Sequence, residues 1–374
     1  MRENQSRVVV KCGSSLLMQN SGGTDKHCLH SLAKQINQLM NNGSQIVLVA
    51  SGAIAMGRSV LTEDNEGVST LARQVLAAVG QGPLMAEFAR SFSEFEIDIA
   101  QALLSRGSLN QRDGYLNARN TLLELMQRNI VTIVNENDVV ATEELQFGDN
   151  DRLAALVANL VDADVLVMLT DVDGYLRPDD HGQLRVVPIV DHVSSEMLSR
   201  AGGAGSEAGT GGMRTKLEAA GLAMSHGTKV VIGPGRVENA LIRIVAGEPI
   251  GTTFLPTGDR RESRKRWMLT DLSLRGEIIV DTGAARALLT DGRSLLPAGI
   301  VGHEGEFGRG DLVAVLSLDG TTIGHGLSNY AADDVENIAG SDSREIQEIL
   351  GHEYGAEVIH RNNFAIVGNS ALPS

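Results

Sequence analysis

Two lysines of this sequence stand beside glycine-containing turns, an arrangement that suits the binding of a phosphate group. Lys11 ends a run of valines and is followed by Gly13 and two serines. Lys216 lies in the first turns of a predicted helix that follows glycines at positions 209, 211 and 212. Lysine supplies a compact positive charge, and glycine lets backbone N–H groups approach an anion. Since the second loop matches neither the Walker A pattern nor a dinucleotide fingerprint, the sequence predicts another type of phosphate site.

Polar turns near the ends of further predicted strands supply the other candidate functional groups. The carboxylates that cluster in two of these turns, at residues 135–138 and 149–151, suit the recognition of an ammonium group or the organisation of lysines. Asn and Asp are also ordinary turn residues, and Ser51 is an ordinary helix cap, so a structural role is the alternative. The turns in question are Ser51–Gly57, Asn135–Asp138, Asp149–Asp151 and Thr170–Asp171.

The elements that must position these groups are predicted to alternate between strands and helices from residue 7 to about residue 255. Short β-branched runs alternate with longer segments of helical period, which predicts an α/β sandwich with parallel strands. The predicted strands are Arg7–Lys11, Gln45–Ala50, Ile130–Asn135, Asp164–Thr170 and Thr228–Ile232, and the predicted helices are Asp25–Met40, Thr70–Ser91, Tyr115–Arg128, Asn150–Val161 and Gly212–His226. Ligands of open α/β sheets bind at the carboxyl ends of the strands, where the polar turns fall.

The pattern changes near Pro256, where a basic stretch precedes short strand-like pieces separated by glycines. We therefore predict a catalytic domain over residues 1–257, a linker over 258–273 and a small β-rich domain over 274–374. The basic stretch is interpreted as a solvated linker, with a nucleic-acid contact as the alternative.

Composition limits the classes of function. The formal net charge of −15 argues against binding nucleic acid through the overall field of the protein. The sequence shows neither a secretion signal nor an apolar run long enough to span a membrane. The two cysteines, Cys12 and Cys28, lack metal-ligand spacing and suit a reducing compartment. A cytoplasmic location is the expectation.

The motifs together resemble those of the glutamate 5-kinase family. The resemblance covers nearly the whole chain and rests on Lys11–Ser15, Ser51–Ala55, Asn135–Asp138, Gly148–Asp151 and Thr210–Lys216, and past the linker on Arg264–Trp267, Gly276–Ile278, Ser294–Gly299 and His325–Gly326. It implies a three-layer amino-acid-kinase sandwich with a mainly parallel sheet, followed by a PUA-type domain. It also implies that ATP phosphorylates the side-chain carboxylate of L-glutamate, the first step of proline biosynthesis, with proline as a feedback inhibitor.

The resemblance also implies roles for individual residues. Lys11 and Lys216 would contact the transferring phosphoryl group, and Asp149 would hold the lysines in place. Glutamate would be bound by Ser51, Asp138 and Asn150, with Asp138 pairing with the α-ammonium group. Mg²⁺ would be held mainly by the ATP phosphates, without direct side-chain ligands. The nucleotide would be bound by Lys11, Gly13, Thr170, Asp171, Thr210, Gly211, Gly212, Met213, Arg214, Thr215 and Lys216.

Two other functions are alternatives to the phosphorylation of glutamate. The first is another amino-acid kinase of the same fold, acting on aspartate, N-acetylglutamate or carbamate. The second is an RNA-binding regulator acting through the PUA-type domain, which the excess of acidic residues after Leu274 argues against. Further partners implied by the family are a second copy of the chain in a dimer or tetramer and glutamyl phosphate reductase. At Cys12, Ser14 and Arg214 the sequence departs from the family pattern. Arg214 is expected either to face solvent or to strengthen nucleotide binding.

Overall fold

The structure is a computed structural model that describes residues 6–19, 23–61, 69–140, 150–179, 181–201, 212–257 and 274–366. The chain divides into two compact units. The first comprises Met1–Gln111 with Asn117–Arg260, and the second comprises Arg112–Leu116 with Arg261–Ser374. Within the described ranges, no helix combines the length and apolarity needed to cross a membrane.

An eight-stranded sheet is the centre of the first unit, and its order is β3-β4-β2-β1-β5-β9-β10-β8. Neighbours from β3 to β9 are parallel, whereas β10 runs antiparallel to β9. A separate hairpin pairs β6 with β7. The strands are β1 Arg7–Cys12, β2 Gln45–Ala50, β3 Ile99–Leu104, β4 Val131–Glu136, β5 Val165–Thr170, β6 Leu176–Pro178, β7 Leu184–Val186, β8 Ile189–Val190, β9 Lys229–Pro234 and β10 Thr252–Phe254.

Helices cover both faces of this sheet, as continuous apolar strands require. Val8 and Val10 of β1 share one core cluster with Leu32 and Ile36 of α2, so α2 lies on that face. Alternation along the strand sends Val9 and Lys11 to the other face, where α7 packs against β1. The helices are α1 Ser14–Leu17, α2 Lys26–Asn41, α3 Ala53–Leu61, α4 Thr70–Ser93, α5 Arg106–Asn110, α6 Arg112–Gln127, α7 Asn150–Leu160, α8 Ser195–Ala201, α9 Met213–Ser225 and α10 Ala240–Val245.

Two glycines allow α3 and α4 to pack with their backbones in contact. A Cβ atom at Gly57 would overlap the carbonyl of Leu76, and one at Gly80 would overlap the carbonyl of Ala53. Larger residues at either position would push the helices apart. Since α3 begins two residues after Ser51, this contact also fixes the Ser51 turn against α4.

The second unit contains a five-stranded sheet in the order β12-β11-β13-β14-β15, which is antiparallel except for the β11–β13 pair. Its core includes Ile278, Val280, Val313, Val315 and Tyr330. The strands are β11 Gly276–Val280, β12 Ile300–Gly305, β13 Leu312–Ser317, β14 Thr322–Leu327 and β15 Phe364–Ile366, and the helices are α11 Thr282–Leu289, α12 Ala332–Ile338 and α13 Ile346–Leu350.

The predicted fold class is confirmed. The five predicted strands and five predicted helices of the first unit are present, with ends displaced by at most three residues. The prediction omitted α3 and the edge strand β3, among other short elements. The predicted linker 258–273 lies outside the described residues.

A buried arginine joins α6 to the end of α7. The Arg119 side chain is 1% exposed and lies 2.6 Å from the Asp162 carboxylate, and its guanidinium also donates to the carbonyl of Leu160. A carbonyl at a helix end has no intrahelical donor, so Arg119 satisfies both a helix terminus and a carboxylate.

We expect Arg119→Met to lower the free energy of unfolding of the first unit by about 3 kcal/mol, because it removes a donor from the buried Leu160 carbonyl and the nearer of two arginines, Arg119 and Arg7, from Asp162. Urea unfolding followed by circular dichroism measures the change. The matched control is Arg128→Met at the end of the same helix, where the Glu124 pair is solvent-exposed and contributes little. Equal losses in the two variants would contradict the importance of the buried pair.

Candidate active site

Two buried lysines share one carboxylate at the carboxyl edge of the first sheet. Lys11 Nζ lies 2.6 Å from Asp151 Oδ1, and Lys216 Nζ donates to Asp151 Oδ2 at 3.1 Å. Asp151 is fully buried, and Lys11 and Lys216 are 3% and 7% exposed. Each carboxylate oxygen therefore holds one ammonium group. With two positive charges and one negative charge, this cluster suits an anion as its additional partner.

The positions of these three side chains follow from the elements that carry them. Lys11 is the fifth residue of β1 and faces α7 by strand alternation. Asp151 is the second residue of α7, where a carboxylate is favoured by the partial positive charge of the helix N-terminus. Lys216 lies in the first turn of α9. Packing of α9 against α7 brings its ammonium group to Asp151.

The beginning of α9 adds neutral donors beside the lysines. Gly212 is in extended conformation and precedes the helix, whose first backbone N–H groups lack intrahelical partners. The Thr215 hydroxyl oxygen lies 3.1 Å from Asp151 Oδ2 and 2.8 Å from the carbonyl oxygen of Gly212. The single hydroxyl hydrogen can be donated to either acceptor. A helix N-terminus with a nearby lysine is an established physical arrangement for binding phosphate.

The other residues predicted to bind the nucleotide are only partly described. Gly13 follows β1 and donates its N–H to the carbonyl of Leu169 in the adjacent β5 at 3.4 Å. At the end of β5, the Thr170 hydroxyl donates to Asp171 at 3.1 Å. Thr210 and Gly211 lie outside the described residues. Met213 is the half-buried first residue of α9.

Arg214 is placed on the exposed side of α9. Its guanidinium donates to Glu218, one turn further along the helix, at 3.0 Å. The Arg214 side chain is 58% exposed. This placement favours the solvent-facing alternative, and a contact with the nucleotide stays a prediction.

Amide and hydroxyl side chains form a second cluster at the ends of β2 and β4. Asn150 Nδ2 lies 2.9 Å from Ser51 Oγ, 3.0 Å from Asn135 Oδ1 and 2.8 Å from the carbonyl oxygen of Ala50. Asn135 Nδ2 in turn donates to Gln81 Oε1 at 2.9 Å. The structure therefore brings together two of the three residues predicted to bind glutamate, Ser51 and Asn150.

Asp138, the third of these residues, lies half-buried in the turn after β4. Burial raises the pKa of its carboxyl above the ordinary value, and the positive charge of Arg73 lowers that pKa in part. A carboxylate that has lost hydration is stabilised by a cationic partner. Asp138 is therefore suited to an ammonium group.

Two residues of these clusters were missed by sequence reasoning. Asp151 contacts both lysines, although the sequence did not single it out for that role. The role predicted for Asp149 stays a prediction, since that residue lies outside the described ranges. Asp151 was visible in the same motif, and its position inside the first turn of a helix was the available signal. Gln81 had no comparable signal, because it lies within the long helix α4.

A divalent cation held through the phosphate oxygens of a nucleotide stays a prediction. In the described ranges, no group of three or more His, Cys, Asp or Glu side chains is arranged to hold a metal ion. The buried carboxylate of Asp151 is shared by two lysines. A cation accompanying a nucleotide needs no such protein cluster.

Comparison with known proteins agrees with this geometry. Residues 6–234 match the model of the amino acid kinase family, and residues 276–350 match that of the PUA domain. Glutamate 5-kinase of Dehalococcoides mccartyi (strain CBDB1) is 45% identical over 373 residues, covering 98% of this chain and 100% of the relative. Glutamate 5-kinase of Desulfotalea psychrophila is 46% identical over 364 residues, covering 96% of each chain. The solved carbamate kinase from Giardia lamblia bound to AMP-PNP is 17% identical, with a TM-score of 0.48, and covers 67% of this chain and 98% of that one.

The chain belongs to the amino acid kinase family and, within it, to the glutamate 5-kinases. It is therefore a phosphotransferase, and the predicted resemblance is confirmed. The second unit carries the predicted PUA domain.

Proposed function

We propose that the chain transfers the γ-phosphoryl group of ATP to the side-chain carboxylate of L-glutamate, the first step of proline biosynthesis. The observation that carries the proposal is the buried pair of lysines on one carboxylate, 2.6 and 3.1 Å from its two oxygens. It is supported by the relatives named glutamate 5-kinase along the full length of the chain.

The chemistry needs positioning and charge rather than a base. A glutamate side chain is already ionised at neutral pH, so its oxygen can attack the γ-phosphorus directly while the bond to the β-phosphate oxygen breaks. Negative charge on the transferring group is stabilised by Lys11 and Lys216. Asp151 fixes both ammonium groups before the substrate arrives, which avoids reorganisation during the reaction.

The second cluster is the proposed glutamate site. Ser51, directly after β2, and Asn150, the first residue of α7, hold the substrate. Asn150 directly precedes Asp151 in the sequence. Asp138 pairs with the α-ammonium group, and this pairing selects glutamate over acids that carry no positive charge. A substrate without that ammonium would leave a partly buried carboxylate whose loss of hydration Arg73 offsets only in part.

Nucleotide and metal complete the proposal. The N-terminus of α9, with Gly212 and Thr215, and the turns at Gly13 and Thr170 bind ATP, to which Thr210, Gly211, Met213 and Asp171 are added from the family resemblance. Mg²⁺, held by the phosphate oxygens, would neutralise part of their charge. Inhibition by proline, self-association, passage of the product to a reductase and a cytoplasmic location stay predictions.

The test is an assay of purified protein with ATP and Mg²⁺, with hydroxylamine to trap the acyl phosphate as a hydroxamate. L-Glutamate should give the hydroxamate, with kcat/KM about a hundredfold or more above that of glutarate, which lacks the α-ammonium group. L-Aspartate and N-acetyl-L-glutamate should give little product, and carbamate, followed by ADP release, should give none. If another acid is the best substrate, the assignment of glutamate is wrong while the phosphate site stands.

A further inference from the structure

We infer that Gln81 is a positioning residue that fixes the direction of the hydrogen bonds in the proposed glutamate site. It acts through Asn135 on Asn150 and Ser51. The inference rests on the proposed function, since it concerns how that site presents its groups to glutamate. The polarity of an amide network decides which atoms face the substrate as donors and which face it as acceptors.

The Asn135 amide is oriented by a backbone donor at its oxygen end and by Gln81 at its nitrogen end. Asn135 Oδ1 accepts from the N–H of Glu136 at 2.9 Å, and a backbone N–H can only donate. The atom of Asn135 that faces the backbone must therefore be its oxygen. Its Nδ2 faces Gln81 Oε1 at 2.9 Å, so Gln81 must present an acceptor. Asn135 is 4% exposed, which leaves little room for water to replace that acceptor.

The Asn150 amide is oriented by a backbone carbonyl, that of Ala50. Its Nδ2 lies 2.8 Å from the carbonyl oxygen of Ala50, which can only accept. The same nitrogen lies 3.0 Å from Asn135 Oδ1 and 2.9 Å from Ser51 Oγ. A flipped Asn150 would turn its own oxygen toward these oxygens. The correct orientation of Asn135 therefore supports that of Asn150.

This polarity specifies what the site offers to glutamate. The two hydrogens of Asn150 Nδ2 are shared among three oxygens, and the nitrogen itself cannot accept, so the Ser51 hydroxyl does not donate to Asn150 and can give its hydrogen to another acceptor. A substrate carboxylate is such an acceptor. Since Nδ2 is the atom that faces these three oxygens, the Asn150 side-chain oxygen can accept from a donor such as the α-ammonium group. The two residues thus present complementary groups to an amino acid.

The position of Gln81 explains how one side chain can hold this arrangement. It follows Gly80, at which the backbone of α4 touches the Ala53 carbonyl at the start of α3. The Ser51 turn and Gln81 are therefore fixed relative to one another by backbone contact. Loss of the Gln81 acceptor would leave the buried Asn135 Nδ2 without a partner and weaken its preference for one orientation.

The experiment compares Gln81→Met with Gln81→Glu in the hydroxamate assay. Gln81→Met removes the acceptor and should raise the KM for glutamate about tenfold, with kcat and the KM for ATP within about twofold of wild type. Gln81→Glu keeps an acceptor oxygen and should stay within about threefold in the KM for glutamate. In an Asn135→Ala background, Gln81→Met should add no further increase, because the group it acts through is gone.

The matched control is Gln45→Met, which removes a buried amide at the start of β2. Gln45 Nε2 donates to the Met126 carbonyl at 3.1 Å, so its loss should lower the melting temperature and leave the KM for glutamate unchanged. If Gln81 has only a structural role, Gln81→Met, which suits a buried position, should have a lower KM for glutamate than Gln81→Glu. That result, or a wild-type KM for glutamate in Gln81→Met, overturns the inference.

If Gln81→Met does not fold, Gln81→Ala decides in the same assay. Failure of the proposed function is seen separately, as absence of glutamate-dependent product in the wild type, and it would overturn both.

Discussion

Replacement of Asp151 with asparagine should lower kcat about a thousandfold, the largest loss expected from a change that removes no positive charge. The carboxylate holds Lys11 and Lys216 on its two oxygens, and an asparagine amide can offer only one acceptor atom. The two ammonium groups would then repel each other and move from the position of the transferring phosphoryl group. Loss of a single preorganised donor costs about a hundred- to a thousandfold in kcat, and here two donors are disturbed. Initial rates of hydroxamate formation at saturating substrates measure the effect.

Asp149→Asn is the informative comparison for this variant. Both substitutions change one carboxylate to an amide within the same three residues of the sequence. The sequence predicts the organising role for Asp149, which lies outside the described residues, and the structure shows that Asp151 contacts both lysines. We therefore expect Asp149→Asn to retain more activity than Asp151→Asn. If Asp149→Asn loses more activity than Asp151→Asn, and both variants keep the circular dichroism spectrum of the wild type, Asp149 is the residue that organises the lysines.

Much of the first unit could be predicted because its central strands carry their own signal. Val8–Val10 and Gln45–Ala50 are β-branched or apolar runs whose burial on both faces is typical of parallel strands. The edge strand Ile99–Leu104 is exposed at alternate positions in its second half and contains two alanines, which weakens both the β-branched and the apolar signal. Helix α3 was missed because its Ser-Gly start also fits a simple turn. Its packing on α4 depends on Gly57, the fifth residue of α3, and on Gly80, the eleventh residue of α4.

The site divides in the same way into local and non-local parts. Lys11 and Lys216 each lie beside a glycine turn, so their candidacy could be predicted from neighbouring residues alone. The contact of Asp151 with Lys216 depends on the packing of α7 against α9, across 65 residues of sequence. Gln81 reaches Asn135 across 54 residues, and nothing beside it in α4 indicates a polar partner. Groups that organise a site are thus harder to predict than groups that bind the ligand, because their partners are distant in sequence.

Lys216→Met should reduce kcat by about a hundred- to a thousandfold while the KM for glutamate changes less than about threefold. Lys216 is 7% exposed, and methionine keeps most of its side-chain volume. The substitution removes the charge that stabilises the transferring phosphoryl group. That charge matters most in the transition state, so the loss should appear in kcat rather than in the binding of glutamate. Single-turnover measurement of γ-phosphoryl transfer at saturating ATP separates this effect from weaker nucleotide binding.

The matched control is Lys229→Met, at the beginning of β9 and therefore at the opposite edge of the same sheet. Parallel strands place all their carboxyl ends on one edge, so a lysine at an amino end cannot reach the phosphate, and its removal should leave kcat unchanged. A wild-type kcat in Lys216→Met, together with a large rise in the KM for ATP, would show that Lys216 binds the nucleotide without acting on the transition state. In that case the catalytic charge would have to come from Lys11, the other ammonium group held by Asp151, and Lys11→Met would then carry the full loss in kcat.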